Sequence, residues 1–283
     1  MVRGKRWVLV GDQKQLPPFV DDDLKQYGLL EKYSLTAENL RATLFDRLVS
    51  VEGLPEECRP TLTTQHRMHP AIGHLISDCF YGGKLTSART DGMHPAIARV
   101  LSRPVTWFST SSLPNRHEQV GRGTGAGADS YVNPEEAARI HRWLTRLEQS
   151  GRERTSRSGA PILRVGVISG YAAQKAYLTR EITPRDRKRW VALDIEINSV
   201  DAFQGREVDV LVYSVTRSNG HGRLGFVRLP HRLNVALSRG RDALVIFGDA
   251  AHCRRSFESD NAFPRVMDHI VAFRHECSLE VLR

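Results

Sequence analysis

Four polar blocks concentrate residue types that could do chemistry: Gly11-Asp12-Gln13-Lys14-Gln15-Leu16-Pro17, Gln65-His66-Arg67-Met68-His69-Pro70, Val200-Asp201-Ala202-Phe203-Gln204-Gly205-Arg206-Glu207 and Arg232-Leu233-Asn234-Val235-Ala236-Leu237-Ser238-Arg239. Arginine is always charged and meets phosphate oxygens through paired N–H donors, so Arg67 and Arg239 are candidates for handling a phosphate. The chain lacks the other half of such a site. No G-x-x-x-x-G-K-[ST] loop occurs, and no acidic pair for magnesium precedes Gly11. The nearest string, Gly82-Gly83-Lys84-Leu85, has Leu where a metal-binding hydroxyl would stand. Gly121-Arg-Gly-Thr-Gly-Ala-Gly reads as a plain loop, because no Gly-Lys-Ser/Thr follows it. His66, His69, His74 and Cys79 lack the compact pairing of zinc ligands, and no metal site is expected from them.

The elements that position these blocks follow from hydrophobic patterning. Short apolar runs at 7–10, 165–169, 208–215 and 243–247 have the length and β-branched content of buried parallel strands. Helical patterns fall at about 36–50, 70–80, 134–149, 171–181 and 262–274. The third of these opens on Asn133-Pro134-Glu135-Glu136, a cap, a first-turn proline and acids at the positive end of the helix dipole. Strands alternating with helices predict an α/β fold with a mainly parallel sheet. Ligands of such sheets sit beyond the carboxyl ends of the strands. Stretches 109–130 and 151–159 read as polar loops, and 185–189 is a short basic run. The strand at 7–10 looks like the last of a domain whose earlier part is absent.

Bulk properties narrow the class. The 283 residues are 40% hydrophobic, enough for a buried core, and carry 41 Lys and Arg against 32 Asp and Glu. A formal charge of +9 suits a polyanionic partner such as nucleic acid. The four cysteines are scattered without a C-x-x-C pair, which fits a reducing cytoplasm rather than a disulfide scaffold. No apolar run approaches the roughly 18 residues of a membrane span.

The order and wording of the four blocks resemble superfamily 1 helicases of the up-frameshift type, from motif III through motif VI. Val167-Ile168-Ser169-Gly170-Tyr171-x-x-Gln174 adds a further match. The resemblance implies a RecA-like P-loop NTPase fold that lacks the P-loop itself. Residues 1–58 would finish a first RecA-like domain and linking helix, and 59–283 would form the second. It further implies that Arg67 and Arg239 point at the γ-phosphate of ATP, that Gln15 senses it, and that Gly205 and Glu207 belong to the block whose acid contacts the ribose. His66 stands where relatives often have a Tyr that stacks on adenine. Ser169, Tyr171 and Gln174 match a region used near the nucleic-acid backbone. The expectation is the carboxyl-terminal half of an ATP- and Mg²⁺-dependent helicase acting on single-stranded DNA or RNA. It would be inactive without its amino-terminal ATPase half. The alternatives are a non-catalytic nucleic-acid-binding or scaffold module and one half of a split helicase.

Overall fold

The computed structural model describes residues 5–17, 45, 48–49, 55–121, 130–158, 163–183 and 190–283. The basic run at 185–189, and all of the glycine-rich string except Gly121, lie outside them. The chain divides into two compact units, Met1–Leu62 and Thr63–Arg283. In the first, residues 7–10 join no sheet among the described residues. Val8 and Val10 are 90% and 88% exposed, so the expected buried strand at 7–10 is corrected. A strand is made by the neighbour that receives its backbone hydrogen bonds, and the described residues supply none. Of the helix expected at 36–50, only Phe45, Leu48 and Val49 are described, and all three are helical.

The second unit is an α/β layer structure around a six-stranded, all-parallel sheet. Its strands are β3 (Val105–Ser109), β6 (Leu163–Ser169), β7 (Leu193–Ser199), β8 (Val208–Ser214), β9 (Gly240–Gly248) and β10 (Cys277–Val281), in the order β10-β3-β9-β8-β6-β7. Two small ribbons accompany it: β1 (Thr64–Gln65) with β2 (Thr86–Ser87), and β4 (Gln119–Gly121) with β5 (Ser130–Val132). The central strands are buried on both faces, as continuous Val/Leu/Ile runs require. On one face, Val165, Val167, Val210, Val212 and Val245 pack under Ile140, Trp143, Leu144 and Leu147 of helix α3 (Pro134–Ser158). Leu178 and Ile182 of α4 (Ala172–Ile182) join that core. Helix α1 (Pro70–Phe80) packs against β9, α5 (Pro230–Leu237) against β8, and α7 (Phe263–Ala272) against α1. Short helices α2 (Pro95–Ala98) and α6 (Ala250–Arg255) complete the unit. Among the described residues no helix is long and apolar enough to cross a membrane.

Two sequence expectations are revised here. Residues 151–158 are not a loop but the last two turns of α3. Glu148 pairs with Arg152 one turn on, and Arg99 Nη1 donates to Glu153 at 2.6 Å, which favours continuation past Gly151. Gly151 itself is needed for close approach, since a Cβ there would sit 2.7 Å from the Ala192 Cβ. Strands β3, β7 and β10 were not expected. In β7 the residues Asp194, Glu196 and Asn198 interrupt the apolar run on an edge strand, which hides it from a hydropathy reading.

Candidate functional site

The second unit gathers its polar residues at opposite ends of the parallel sheet. The arginines lie at the amino ends of β8 and β9, the end opposite to the one at which the sequence reading looked for ligands. Glu207 immediately precedes β8, and Arg239 immediately precedes β9. Arg67, in the bend after β1, donates from Nε to Glu207 Oε2 at 3.0 Å and from Nη1 to the Ser238 carbonyl at 3.4 Å. Arg241 Nη1 lies 3.8 Å from the other Glu207 oxygen. Three blocks far apart in sequence thus meet in one half-exposed cluster.

Arg239 does not ride on a helix. Helix α5 ends at Leu237, and Ser238 leaves the helical conformation, which carries Arg239 into the connection to β9. Its side chain is 2% exposed and its Nε donates to the Val235 carbonyl at 3.0 Å. Val235, Ala236 and Leu237 are fully buried and anchor that connection. His66 is exposed beside Arg67 in sequence. Gly205 turns the chain at φ +82°, a left-handed conformation that disfavours any side chain. Gln15 belongs to the first unit, where its Nε2 donates to Asp12 Oδ2 at 2.7 Å.

The Arg67 bend is held by Gln65 of the same block and by Arg89, which sequence reasoning missed. Gln65 accepts from Met68 N at 2.7 Å and donates to the Met68 carbonyl at 2.9 Å, closing the loop around Arg67. Arg89 donates to the carbonyls of Arg67 at 3.0 Å and Arg241 at 2.9 Å, and to Asp242 Oδ1 at 2.9 Å. It also pairs with Asp91. That pairing raises the Arg89 pKa and pulls the Asp91 carboxyl down to about 2. Apart from Asp91, the partners of Arg89 come from two distant segments, so the local sequence does not mark it.

At the other end, β6 and β8 form a topological switch point. The chain leaves β6 for α4 on one face and leaves β8 for α5, which does not share that face's core. Ser169, the last residue of β6, and Thr216, two residues beyond β8, are joined by Oγ to Oγ1 at 2.9 Å. Thr216 has φ +74°, a strained value for a β-branched residue and of the kind found at functional sites. Glu136 holds it there, accepting from Thr216 N at 2.8 Å and from Ser214 Oγ at 2.6 Å. Burial pushes the Glu136 carboxyl up to about 8, against the opposing pull of these two donors. The signal for Glu136 lay in its capping segment, where Asn133 Oδ1 accepts from Glu136 N at 3.0 Å.

The residues matched to nucleic-acid contact are all buried here. Gln174 donates to Ser214 Oγ at 2.9 Å and to the Asn133 carbonyl at 3.2 Å, and accepts from Asn133 N at 2.8 Å. Tyr171 OH donates to the Leu224 carbonyl at 3.2 Å and lies 2.8 Å from Arg217 Nη1. The side chains of Ser169, Tyr171 and Gln174 therefore shape the surface from beneath. Arg217 pairs with Glu118 at 3.0 Å and lies 4.0 Å over the Tyr131 ring. Against the opposing effect of burial, the Asp249 carboxyl is held below the ordinary range by three donors: His252 N at 2.9 Å, Ser111 Oγ at 2.7 Å and Ser218 Oγ at 2.8 Å.

Comparison with known proteins places this geometry. The family model described as "AAA domain" matches residues 40–251. The chain is 34% identical over 252 residues to "Regulator of nonsense transcripts 1 homolog" of Arabidopsis thaliana, covering 87% of this chain and 18% of that protein. It is 32% identical over 260 residues to "ATP-dependent helicase NAM7" of Saccharomyces cerevisiae, covering 90% and 24%. With "ATP-dependent helicase upf1" of Schizosaccharomyces pombe it shares 31% identity over 87% of this chain and 24% of the relative. The chain thus spans about a fifth to a quarter of the length of the curated relatives it matches. It belongs to the AAA domain family and corresponds to the carboxyl-terminal helicase region of the up-frameshift-type superfamily 1 proteins.

Proposed function

We propose that this chain supplies the arginine-bearing side of an ATP-driven helicase in which ATP and Mg²⁺ are held by an amino-terminal RecA-like domain. One observation carries the reading: Arg67 meets Glu207 at 3.0 Å and the Ser238 carbonyl at 3.4 Å, so that motifs IV, V and VI converge beside Arg239. Phosphoryl transfer is driven by positioning and by positive charge spread around the γ-phosphate, and a cluster of guanidiniums is suited to both. Arg67 is accessible as it stands, whereas Arg239 must leave the Val235 carbonyl to reach a ligand. When ATP is bound, Glu207 exchanges its ion pairs for the ribose, which releases Arg67 toward the phosphates. Residues for the β-phosphate and magnesium are not found in the sequence, so the residues present fit the γ-phosphate and the ribose but not the β-phosphate or the metal.

The strained Thr216 turn at the β6/β8 switch point, backed by Ser169, Tyr171 and Gln174, forms the surface along which single-stranded DNA or RNA passes. Backbone N–H groups beyond these strand ends would hold its phosphates. The test is ATP turnover with and without single-stranded nucleic acid. The chain alone should show none. Fused to an amino-terminal half carrying a phosphate loop and magnesium site, it should turn over ATP, and Arg67→Ala or Arg239→Ala should each reduce kcat by about 10³-fold or more. Robust turnover by the chain alone, abolished by Arg239→Ala, would overturn the division of labour.

A further inference from the structure

We propose that His74, His269 and Glu276 form a binding site for a first-row divalent metal ion, with Zn²⁺ the best match to two imidazoles and a carboxylate. His74 comes from α1 and His269 from α7, and Glu276 directly precedes β10. Each offers one ligand atom, and the three atoms lie within 4.8 Å of one another. A tetrahedral ion at its usual bond lengths needs ligand atoms ~3.3 Å apart, so a small rotation of side chains closes the set. His74 Nδ1 and Glu276 Oε2 already stand 2.8 Å apart.

The surroundings resemble those of built metal sites. A ligating histidine ordinarily donates its other ring N–H to a carboxylate, which fixes the ring and its tautomer. Asp78 Oδ2 plays this part for His269, lying 2.9 Å from its Nδ1, and the same oxygen faces His74 Nε2 at 3.4 Å. Those contacts assign His74 Nδ1 and His269 Nε2 as the ligand nitrogens. His269 is 5% exposed, and its Nε2 is a buried atom without a hydrogen-bond partner among the described residues. A buried imidazole nitrogen of that kind calls for an explanation, and a metal supplies one. Phe273 walls the cluster, its ring centroid 4.4 Å from His74 and 4.5 Å from His269. The side chains of His74 and Glu276 are 35% and 27% exposed, so an ion can enter from solvent. Bound there, it would clamp α1, which follows the Arg67 block, to α7 and the start of β10.

The experiment uses the untagged chain carrying Cys58→Ser, since Cys58 is an exposed thiol, after treatment with chelator. Zn²⁺ is titrated by calorimetry, and Co²⁺ by its visible absorption. One equivalent should bind, with a rise in Tm and a Co²⁺ spectrum of nitrogen and oxygen ligands. His74→Ala and Glu276→Gln, both at partly exposed positions, should leave the circular dichroism unchanged and weaken binding by more than ~100-fold. Asp78→Asn should weaken it by about 10–100-fold. Failure to take up one equivalent, or uptake indifferent to His74→Ala and Glu276→Gln, would show that the cluster is only a hydrogen-bonded histidine–carboxylate group.

Discussion

Glu136 should make this domain lose stability as pH rises, and Glu136→Gln should remove that loss. The carboxyl is fully buried, and its pKa moves from 4.5 to about 8 on folding. A group whose folded pKa is raised contributes stability that is fully present below the unfolded pKa and is lost as pH climbs through the folded one. The difference, 8 − 4.5 = 3.5 units, corresponds at about 1.36 kcal/mol per unit to a limit of ~5 kcal/mol. Between pH 5.5 and 8.5 the same two values give a loss on the order of 3 kcal/mol. The glutamine can still accept from Thr216 N and can donate to Ser214 Oγ, which also receives Gln174 Nε2. The variant should therefore fold, at a modest cost of about 1 kcal/mol at low pH, because the Ser214 hydrogen loses its acceptor. Urea unfolding followed by circular dichroism across this pH range measures both curves. Wild-type stability should fall with pH, while that of Glu136→Gln stays nearly level. Parallel curves for the two proteins would refute the argument, because the slope would then belong to other groups.

Other outcomes follow from the same contacts. On the acid side, His69 and His252 are held below 6.5 by burial. Their contribution is present at neutral pH and lost as pH falls through the lowered values, and the same urea series extended below pH 6 reads it. Arg89→Ala should destabilise the second unit by about 3 kcal/mol, since it strips donors from two carbonyls and leaves Asp242 without its ion pair; its midpoint in urea tests this. Glu207→Gln should shift stability by less than about 1 kcal/mol, because its pairs with Arg67 and Arg241 are half exposed. Yet it should slow ATP turnover in the fused, two-domain protein, and unchanged turnover would remove Glu207 from the site. Trp107→Ala should cost roughly 3–5 kcal/mol, because the ring is fully buried, packs on Phe263 and donates to the Gly248 carbonyl at 3.0 Å.

Much of the fold was legible because it is carried by local pattern. The runs that became β6, β8 and β9 are continuous in Val, Leu and Ile, which is what burial on both faces requires. Helices α1, α4 and α7 fell within two residues of their expected bounds, since their apolar periodicity is short-range. The polar edge strand β7 and the run of α3 past Gly151 were not legible. Both are set by neighbours: β7 pairs along its whole length with β6, from Leu163 against Leu193 to Ser169 against Ser199, and Ala192 packs against Gly151.

By itself, then, the sequence determined the parallel α/β class, the family, and which arginines stand in the blocks that carry the family resemblance, because these are properties of ordered local words. Tertiary structure alone decided where those words meet. It set Arg67 on Glu207, sank Arg239 beneath the surface, and drew Glu136 to the Thr216 turn. It also brought His74 to His269 and Glu276 from the far end of the chain. Such pairings depend on burial and on partners about 80 to 200 positions away, and those quantities come into existence only when the sheet has formed.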